Sequence, residues 1–499
     1  MKPHLLYIAF WYPPSRASGV YRALATTKAF VDAGWNVTVV TANEEFLTDE
    51  IGSVDESLVD FIPNQVSVIR VRFAFDMTQT IDVRRLGRLR ANFPTLWTRL
   101  FQAFAPLRRA GAVMRGASPR AHPIADNYVG WIDPVVKTGV KLHSKTPLDH
   151  ILATGNPYSA FEAAHLLSGM VGVGFSIDYR DPWTIDVFTG DPNFGDRETA
   201  VAEAEIMSAA SLSFHVNEPI AAAYRLKYLK SADKQLVVYN GFDPDSIPPP
   251  SGPSEEPLTF GMLGTLNDRW PTKPIFKAWA DLRAELGEES RLVLGGHLGY
   301  FARSQDVLEA YLPDESLGFH YAGPISKGDV AAFYESLDVV ILPVPSGSMV
   351  TSGKVFEAMA LGKPVVCVQA SGGGARVLLE SRPLAFGAEP DTESVRDALR
   401  AAAEAARSLD ETTSREAQLS ATEFERDQTI SEMVEAMWHS YGRAAPRQTP
   451  VRRRILANYG DSWVSPSDYC RTHPRSWESI RPAVQSTEYH TCHEIHNTL

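Results

Sequence analysis

A lysine and a glutamate three residues apart open a short predicted helix near residue 354. Ser352 can cap this helix, Gly362 can end it, and Pro364 cannot continue it. Lys354 and the backbone N–H groups at the helix start would then face one opening, which suits a diphosphate. Glu357 could accept hydrogen bonds from the two vicinal hydroxyls of a ribose. The alternative is a connecting helix of an α/β domain in which both charges are solvated.

Apolar runs bounded by turn residues predict the strands that would position this helix. They occur at 5–10, 37–41, 149–153, 173–179, 212–216 and 236–239, and again at 258–263, 291–296, 320–323 and 339–343. Helical stretches separate these runs, as in doubly wound α/β domains with parallel sheets. The Pro-rich segment 246–257 predicts a stiff linker. We therefore expect domains over 1–245 and 258–422, then a helix over 423–442 and a polar, flexible tail over 443–499.

Length and composition set the broad class. A chain of 499 residues is too long for one core, so two or three domains are expected. With 44% apolar and 22% charged residues, the composition is that of a soluble globular protein. The net charge of −12 argues against nucleic-acid binding. The three scattered cysteines favour a reducing, cytoplasmic compartment, and neither a signal peptide nor a membrane-spanning run is expected.

The sequence around Glu357 reads Glu-Ala-Met-Ala-Leu-Gly-Lys-Pro-Val-Val. It resembles the donor-binding helix of retaining glycosyltransferases of family 4, the glycosyl transferases group 1 type, which have the GT-B fold. The resemblance implies two Rossmann-like domains that face a cleft, and a C-terminal helix that crosses back to the first domain. The family often carries a second glutamate eight positions before the first, where it contacts the donor hexose. That position is Met349 here, so the paired-glutamate motif is incomplete.

The residues and the resemblance together define an expected donor site. Arg269 and Lys273 correspond to the family's diphosphate-binding cations, and with Glu357 they form the expected catalytic set. Such cations would neutralise the charge that develops on the leaving diphosphate; solvated surface charges are the alternative. The expected donor-binding residues are Gly19, Gly264, Thr265, Ser326, Ser352, Gly353 and Lys354.

Asp181 and Trp183 are expected on the acceptor side. They follow the predicted strand 173–179, at the edge where ligands of doubly wound sheets gather. The carboxylate would accept hydrogen bonds, and the indole would stack on a carbohydrate. The alternative is a buried pair of Arg180 with Asp181 that fixes a turn.

Two further residues are expected on the acceptor side. Arg22, one turn into the first predicted helix, could contact a phosphate or the acceptor; a surface arginine is the alternative. In many family members a histidine ends the strand at 149–153, beside the acceptor, and Thr154 occupies that position here. His150 falls within the strand, so we expect it to be structural.

The segment 83–125 is basic and amphipathic. It contains nine arginines and no acidic residue, with aromatic and aliphatic side chains between them. Such a segment is attracted to an anionic membrane surface. The alternative is a helical hairpin whose arginines pair with the protein's own carboxylates; RNA binding is a weaker alternative. The tail contains Cys470, Cys492 and several histidines, but their spacing is not that of a zinc site.

The resemblance implies transfer of a hexose-type sugar from a nucleotide-diphosphate donor to a glycan or lipid-linked acceptor, with retention of anomeric configuration. Cell-envelope polysaccharide, glycolipid or glycoconjugate biosynthesis is the implied setting. No metal or cofactor is implied, because Arg269, Lys273 and the helix start near Lys354 can act in place of a cation. The implied cleft would close around donor and acceptor. A GT-B-fold nucleotide-sugar epimerase, a phosphorylase and an inactive nucleotide-binding partner or scaffold remain alternatives.

Overall fold

The structure, a computed structural model, describes residues 2–51, 54–73, 128–192, 197–266, 269–298, 309 and 312–441. The chain divides into two compact units. Among the described residues, the N-terminal unit comprises those up to 186 and those within 191–239 and 430–441. The C-terminal unit comprises 187–190 and the described residues within 240–429. The segment 83–125 and the tail 443–499 lie outside the described residues.

A parallel sheet forms the centre of the N-terminal unit. Its described strands are β1 (His4–Ala9), β2 (Asn36–Ala42), β3 (Ser67–Val71), β4 (His150–Gly155), β5 (Phe175–Tyr179), β6 (Ser213–His215) and β7 (Gln235–Val237). They are ordered β3-β2-β1-β4-β5-β6-β7, and each neighbouring pair is parallel. The order reverses between β1 and β4, as in a doubly wound sheet.

Burial on both faces explains why these strands read as apolar runs. Every residue of β1 and of β4 is buried, so neither strand alternates between apolar and polar side chains. The described helices of this unit are α1 (Gly19–Asp32), α2 (Ile132–Lys145), α3 (Ser159–Val171), α4 (Arg197–Ala209) and α5 (Glu218–Lys227). The core includes Val20 and Phe30 of α1 with Tyr7 of β1 and Val39 of β2.

The C-terminal unit has a second parallel sheet. Its described strands are β8 (Thr259–Leu263), β9 (Arg291–Gly295), β10 (Phe319–Gly323), β11 (Val339–Pro343), β12 (Val365–Val368) and β13 (Ala385–Ala388). They are ordered β10-β9-β8-β11-β12-β13, so this order reverses between β8 and β11.

The described helices of the C-terminal unit are α6 (Thr272–Leu286), α7 (Val330–Glu335), α8 (Lys354–Ala360), α9 (Gly374–Leu379), α10 (Thr392–Ser408) and α11 (Glu411–Leu419). Trp279 of α6 is fully buried against Phe260 of β8, with ring centroids 5.3 Å apart. Asp391 caps α10, because its side chain accepts from the backbone N–H of Ser394 at 2.9 Å. The expected α/β organisation of two doubly wound domains is therefore confirmed.

The last described helix, α12 (Arg426–Tyr441), returns to the N-terminal unit. Its Ile430, Met433 and Met437 side chains are buried in the core of that unit. The hydroxyl of Tyr441 also donates to Asp149 at 3.0 Å. This is the return expected of the helix predicted over 423–442.

The predicted linker 246–257 is bonded to helices of the C-terminal unit. The backbone N–H of Ser251 donates to Ser414 Oγ, and that of Ser254 donates to the carbonyl of Ala406, both at 2.9 Å. The structure divides the chain after Tyr239, a few residues before the predicted domain limit at 245. No described helix is long and apolar enough to cross a membrane.

Candidate functional site

The reversal between β8 and β11 identifies the ligand edge of the C-terminal sheet. Ligands of doubly wound sheets bind outside the carboxyl ends of the strands at such a point. The loop after β8 carries Gly264, Thr265 and Arg269, and the loop after β11 leads to Lys354 and Glu357 of α8. Apart from Ser326, which follows β10, the donor residues predicted for this part of the chain therefore follow the two strands that flank the reversal.

Lys354, Glu357 and Tyr334 form one hydrogen-bonded group. Lys354 Nζ lies 2.7 Å from Glu357 Oε2, and the Tyr334 hydroxyl donates to the same oxygen at 2.8 Å. Burial and the neighbouring Glu357 carboxylate raise the pKa of Tyr334 well above its ordinary value, so the phenol remains a donor. Among the described residues no donor reaches Oε1 of Glu357. The carboxylate is thus held by two groups through one oxygen.

The residues that flank α8 are those that the sequence predicted for its start and its end. Ser352 Oγ accepts a hydrogen bond from the backbone N–H of Lys354 at 3.3 Å, and the exposed Gly353 directly precedes the helix. Gly362 has φ +65° just after the helix ends, and a Cβ there would lie 2.6 Å from the carbonyl oxygen of Ser414. Only glycine fits both that conformation and that close approach.

Glycine backbones line the carboxyl ends of β8, β9 and β10. The N–H of Gly264 donates to the carbonyl of Gly295 at 3.0 Å, and that of Gly296 to the carbonyl of Gly323 at 2.7 Å. Gly296 has φ +118°, and a Cβ there would lie 2.0 Å from the oxygen of Gly264. Because glycine has no side chain, these backbones can approach each other closely. The same absence of side chains leaves an edge of the sheet that a flat ligand could approach.

Thr265 and Ser326 follow two of these strands. Thr265 is half-buried directly after Gly264. Ser326 is exposed after β10, and its hydroxyl donates to Asp329 Oδ2 at 2.6 Å. Their predicted contacts with a donor remain predictions.

Arg269 and Lys273 are both exposed where the loop after β8 enters α6. The guanidinium carbon of Arg269 lies 4.5 Å from the centroid of the Phe188 ring, a cation–π contact. Phe188 belongs to the segment 187–190 of the C-terminal unit, which sequence reasoning did not single out.

Gln369, which follows β12, fixes the loop after β11. This fully buried side chain donates to the carbonyls of Pro345 and Val350, at 2.8 and 3.1 Å. Its oxygen accepts from the N–H groups of Ala375 and Arg376 in α9, both at 3.0 Å. The loop that precedes Lys354 therefore has a side-chain clamp.

In the N-terminal unit, Arg22 and Thr154 converge on Asp178. The guanidinium of Arg22 binds both carboxylate oxygens, and the Thr154 hydroxyl donates to Oδ2 at 3.1 Å. Arg22 is 3% exposed, so it is not the surface arginine of the alternative interpretation. Thr154 lies within β4, and the strand continues to Gly155 rather than ending at 153. The predicted roles of both residues toward an acceptor are not tested by these contacts.

Gly19 lies against Arg180 at the reversal point of the N-terminal sheet. A Cβ at Gly19 would lie 1.4 Å from Nη1 of Arg180, so the guanidinium occupies that space. Arg180 Nε donates to the carbonyl of Gly155 at 3.2 Å, and Nη2 donates to that of Asn156. This arginine closes the carboxyl end of β4 over the start of α1.

Asp181 is exposed, and its carboxyl group forms no hydrogen bond with any described residue. Surrounding protein nevertheless desolvates it and raises its pKa, an effect that Arg180 opposes. The buried Arg180–Asp181 pair of the alternative interpretation is therefore absent from the described contacts.

Trp183 does not present its ring to solvent. It is 7% exposed and stacks on Tyr158, with ring centroids 4.8 Å apart and an interplanar angle of 11°. Tyr158 also donates to the carbonyl of Pro182 at 2.9 Å. The half-buried Tyr158 is thus the outer ring of this pair. The sequence signal that could have identified Tyr158 is an aromatic residue a few positions after β4.

His150 is a structural residue, as expected. It is buried in β4, and its Nε2 lies 2.9 Å from Ser176 Oγ of β5. Burial lowers its pKa to about 4, so the ring is neutral in the folded protein near neutral pH. Among the described residues no three His, Cys, Asp or Glu side chains are arranged to hold a metal ion.

Comparison with known sequences gives one family. Residues 257–404 match the profile of the family Glycosyl transferases group 1. The matched range contains every predicted site residue of the C-terminal unit, from Gly264 to Glu357. A search of curated proteins finds no significant match.

Solved structures resemble most of the chain. A glycosyltransferase from Rickettsia africae is 12% identical with a TM-score of 0.59, covering 89% of this chain and 99% of its own. Anabaena Alr3699/HepE in complex with UDP is 16% identical with a TM-score of 0.55, covering 88% and 100%. A putative UDP-N-acetylglucosamine 2-epimerase from Listeria monocytogenes is 12% identical with a TM-score of 0.51, covering 88% and 96%. At such identities the likeness shows the fold alone, and it confirms the expected GT-B fold.

Proposed function

We propose that this protein is a glycosyltransferase that moves a hexose-type sugar from a nucleoside-diphosphate donor to an acceptor hydroxyl, with retention of anomeric configuration and without a metal. The observation that carries the proposal is the Lys354–Glu357–Tyr334 group beside the reversal point of the second sheet, inside the segment that matches glycosyl transferases group 1. The bound nucleotide of the Anabaena neighbour supports a nucleoside diphosphate as the ligand of this fold.

Each member of the group has a distinct proposed task. Oε1 of Glu357 would accept from ribose hydroxyls while Tyr334 holds Oε2. Lys354 is 30% exposed at its side chain, so it can turn from Glu357 toward a phosphate. A diphosphate offers it two charged oxygens in place of one shared carboxylate oxygen.

The proposed step breaks the bond between the anomeric carbon and the diphosphate oxygen, and the electron pair leaves with the diphosphate. The acceptor oxygen forms the new bond to the anomeric carbon on the same face. Its proton passes to an oxygen of the departing phosphate. Lys354, Arg269 and Lys273 would stabilise the negative charge that grows on the leaving group.

The acceptor is proposed to be a glycan or a lipid-linked glycan of cell-envelope or glycoconjugate biosynthesis. Exposed Asp181 and the outer ring of Tyr158 would meet it, since carboxylates and aromatic faces suit carbohydrates. We further propose a cytoplasmic enzyme that binds the inner membrane face through the segment 83–125, which lies outside the described residues. Flotation with anionic liposomes at low salt tests the proposed membrane binding. A protein that fails to float with the liposomes would refute it.

The main test uses calorimetry on the full chain. A thermal-shift panel of uridine, guanosine and thymidine diphosphates and their sugars first selects the donor, because a true ligand raises stability by mass action. Glu357→Ala and Lys354→Ala should then each lower affinity for that ligand at least tenfold. Glu411→Ala, which removes the carboxylate of an exposed pair with Arg415 in the same unit, is the matched control and should bind normally. Unchanged affinity in both site variants would refute the donor site.

Turnover separates the alternatives. A transferase gives a product whose anomeric proton signal has the donor's configuration, and it needs an acceptor. An epimerase changes the sugar on the nucleotide with no acceptor present. An inactive partner binds the nucleotide and converts nothing.

A further inference from the structure

The segment 187–190 lies against both loops that flank the reversal point of the C-terminal sheet. On one side the Phe188 ring contacts Arg269, which follows β8. On the other side the backbone of Phe188 packs on Gly347, which follows β11. Residues 187–190 belong to the C-terminal unit, although the residues before and after them in the chain belong to the N-terminal unit. They therefore belong structurally to the ligand edge of the second sheet.

Close backbone approach fixes this segment. A Cβ on Gly347, whose φ is +139°, would lie 2.9 Å from the carbonyl oxygen of Phe188 and 3.1 Å from its Cα. A Cβ on Gly190 would lie 3.6 Å from Cε of Met349. Gly347 thus permits a contact that any other residue would obstruct, and Gln369 holds the loop that contains it.

The aromatic ring of Phe188 restricts the rotamers of the long Arg269 side chain. Arg269 is exposed, and an exposed arginine loses considerable rotamer entropy when a ligand fixes it. A guanidinium over an aromatic face is attracted by the ring quadrupole, while its N–H donors point outward in its own plane. The ring contact therefore restricts where the guanidinium stands, and the planar fork of its N–H donors suits bidentate binding of phosphate oxygens.

We propose that Phe188 is a positioning residue that holds the Arg269 guanidinium ready for the diphosphate of the donor. The inference rests on the proposed function, because Arg269 must bind the diphosphate for its position to matter. Phe188 acts through Arg269 and through the quadrupole of its ring, so an aliphatic residue of similar size cannot replace it.

A double-mutant cycle on the full chain tests this coupling, with calorimetric affinity for the nucleoside diphosphate chosen by the panel. Phe188→Leu should weaken binding about 3- to 5-fold, the fold-change of a cation–π contact. Phe188→Tyr keeps the ring and should stay within about 2-fold of wild type. In an Arg269→Gln background, Phe188→Leu should cause no further loss. The free nucleoside, which lacks the diphosphate, should bind wild type and all of these variants equally.

Gly347→Ala tests the same contact without changing the Phe188 or Arg269 side chain. Its Cβ would push the Phe188 backbone away, so it should reproduce the loss seen with Phe188→Leu. Circular dichroism confirms that each variant is folded. The proposal is overturned if Phe188→Leu and Arg269→Gln losses multiply independently, or if Phe188→Leu weakens the nucleoside as much as the diphosphate.

The binding data distinguish a failed donor site from a failed role of Phe188. If no nucleoside diphosphate binds the wild-type chain, or if Glu357→Ala and Lys354→Ala both bind as tightly as wild type, the proposed function fails. If Glu357→Ala weakens binding and Phe188→Leu does not, the donor site stands and only the role of Phe188 is wrong.

Discussion

Arg22 and Asp178 form a bidentate ion pair inside the N-terminal unit, with Nε–Oδ2 and Nη2–Oδ1 distances of 2.9 and 2.7 Å. Both side chains are almost completely buried, at 3% and 1% exposed. Nη1 of Arg22 also donates to the carbonyls of Val238 and Tyr239, at 3.0 and 3.2 Å. The pair therefore joins α1, β5 and the chain that follows β7.

Loss of one partner of this pair should destabilise the N-terminal unit strongly. Arg22→Met leaves the Asp178 charge buried without its partner, so the free energy of unfolding should fall by about 3–5 kcal/mol. Chemical denaturation followed by fluorescence measures it. Arg22→Met combined with Asp178→Leu should cost less than the sum of the single variants, because no charge then remains buried.

The control for this prediction is Arg225, whose pair with Glu218 is partly exposed at 32% and 56%. Arg225→Met removes this pair and a hydrogen bond to the carbonyl of Gln235 at 3.0 Å, so the free energy of unfolding should fall by about 1–2 kcal/mol, less than for Arg22→Met. Equal losses in the Arg22 and Arg225 variants would contradict the importance of burial.

Tyr334→Phe should weaken nucleoside-diphosphate binding about 5-fold, since it removes one hydrogen bond to Glu357, worth about 1 kcal/mol. Glu357 would keep Lys354 as its only described partner and lose its fixed orientation when Lys354 turns to the ligand. Calorimetry gives the affinity. The matched control is Tyr228→Phe, since Tyr228 donates to the buried Glu203 at 2.7 Å in the other unit. That variant should lose stability but bind nucleotide normally, and a loss of affinity there would argue against a specific role for Tyr334.

Gly296→Ala should destabilise the C-terminal unit by about 3 kcal/mol, through a strained φ and a clash with the backbone of Gly264. Gly19→Ala should cost less, because its Cβ meets only the far end of the Arg180 side chain, which can move. Thermal unfolding of the two variants gives the comparison. Equal melting temperatures for the two variants would contradict the prediction that a clash with backbone costs more stability than a clash with a mobile side chain.

His150 should make the protein less stable in acid. The folded pKa is about 4 and the ordinary value is 6.5, so below pH 6.5 the unfolded chain binds the proton that the folded chain does not. The contribution of neutral His150 to the free energy of unfolding is present in full above pH 6.5. It falls by about 3 kcal/mol as the pH is lowered toward 4. His150→Gln, which can still reach Ser176, should show a smaller loss over that range in urea denaturation. Parallel pH profiles for the two proteins would contradict the prediction.

The sequence determined most of the strands, the two doubly wound domains and the closeness of Lys354 to Glu357. It did not identify the edge strands β3 and β13, which are only partly buried and lack a long apolar run. Buried parallel strands must be apolar on both faces, so β1 and β11 are visible as uninterrupted runs. Residues three apart on a helix share a face, so the proximity of Lys354 and Glu357 follows from local geometry. Glycine and proline after α8 mark its end for the same local reason.

Only the tertiary structure decided which distant side chains meet. Arg22 pairs with a residue 156 positions away, and it lies in the interior rather than on the surface. Trp183 is covered by Tyr158, and Arg269 stands over Phe188, because segments far apart in the chain pack together. Such partnerships depend on how helices and loops pack on the sheets, and spacing along the chain carries no information about them.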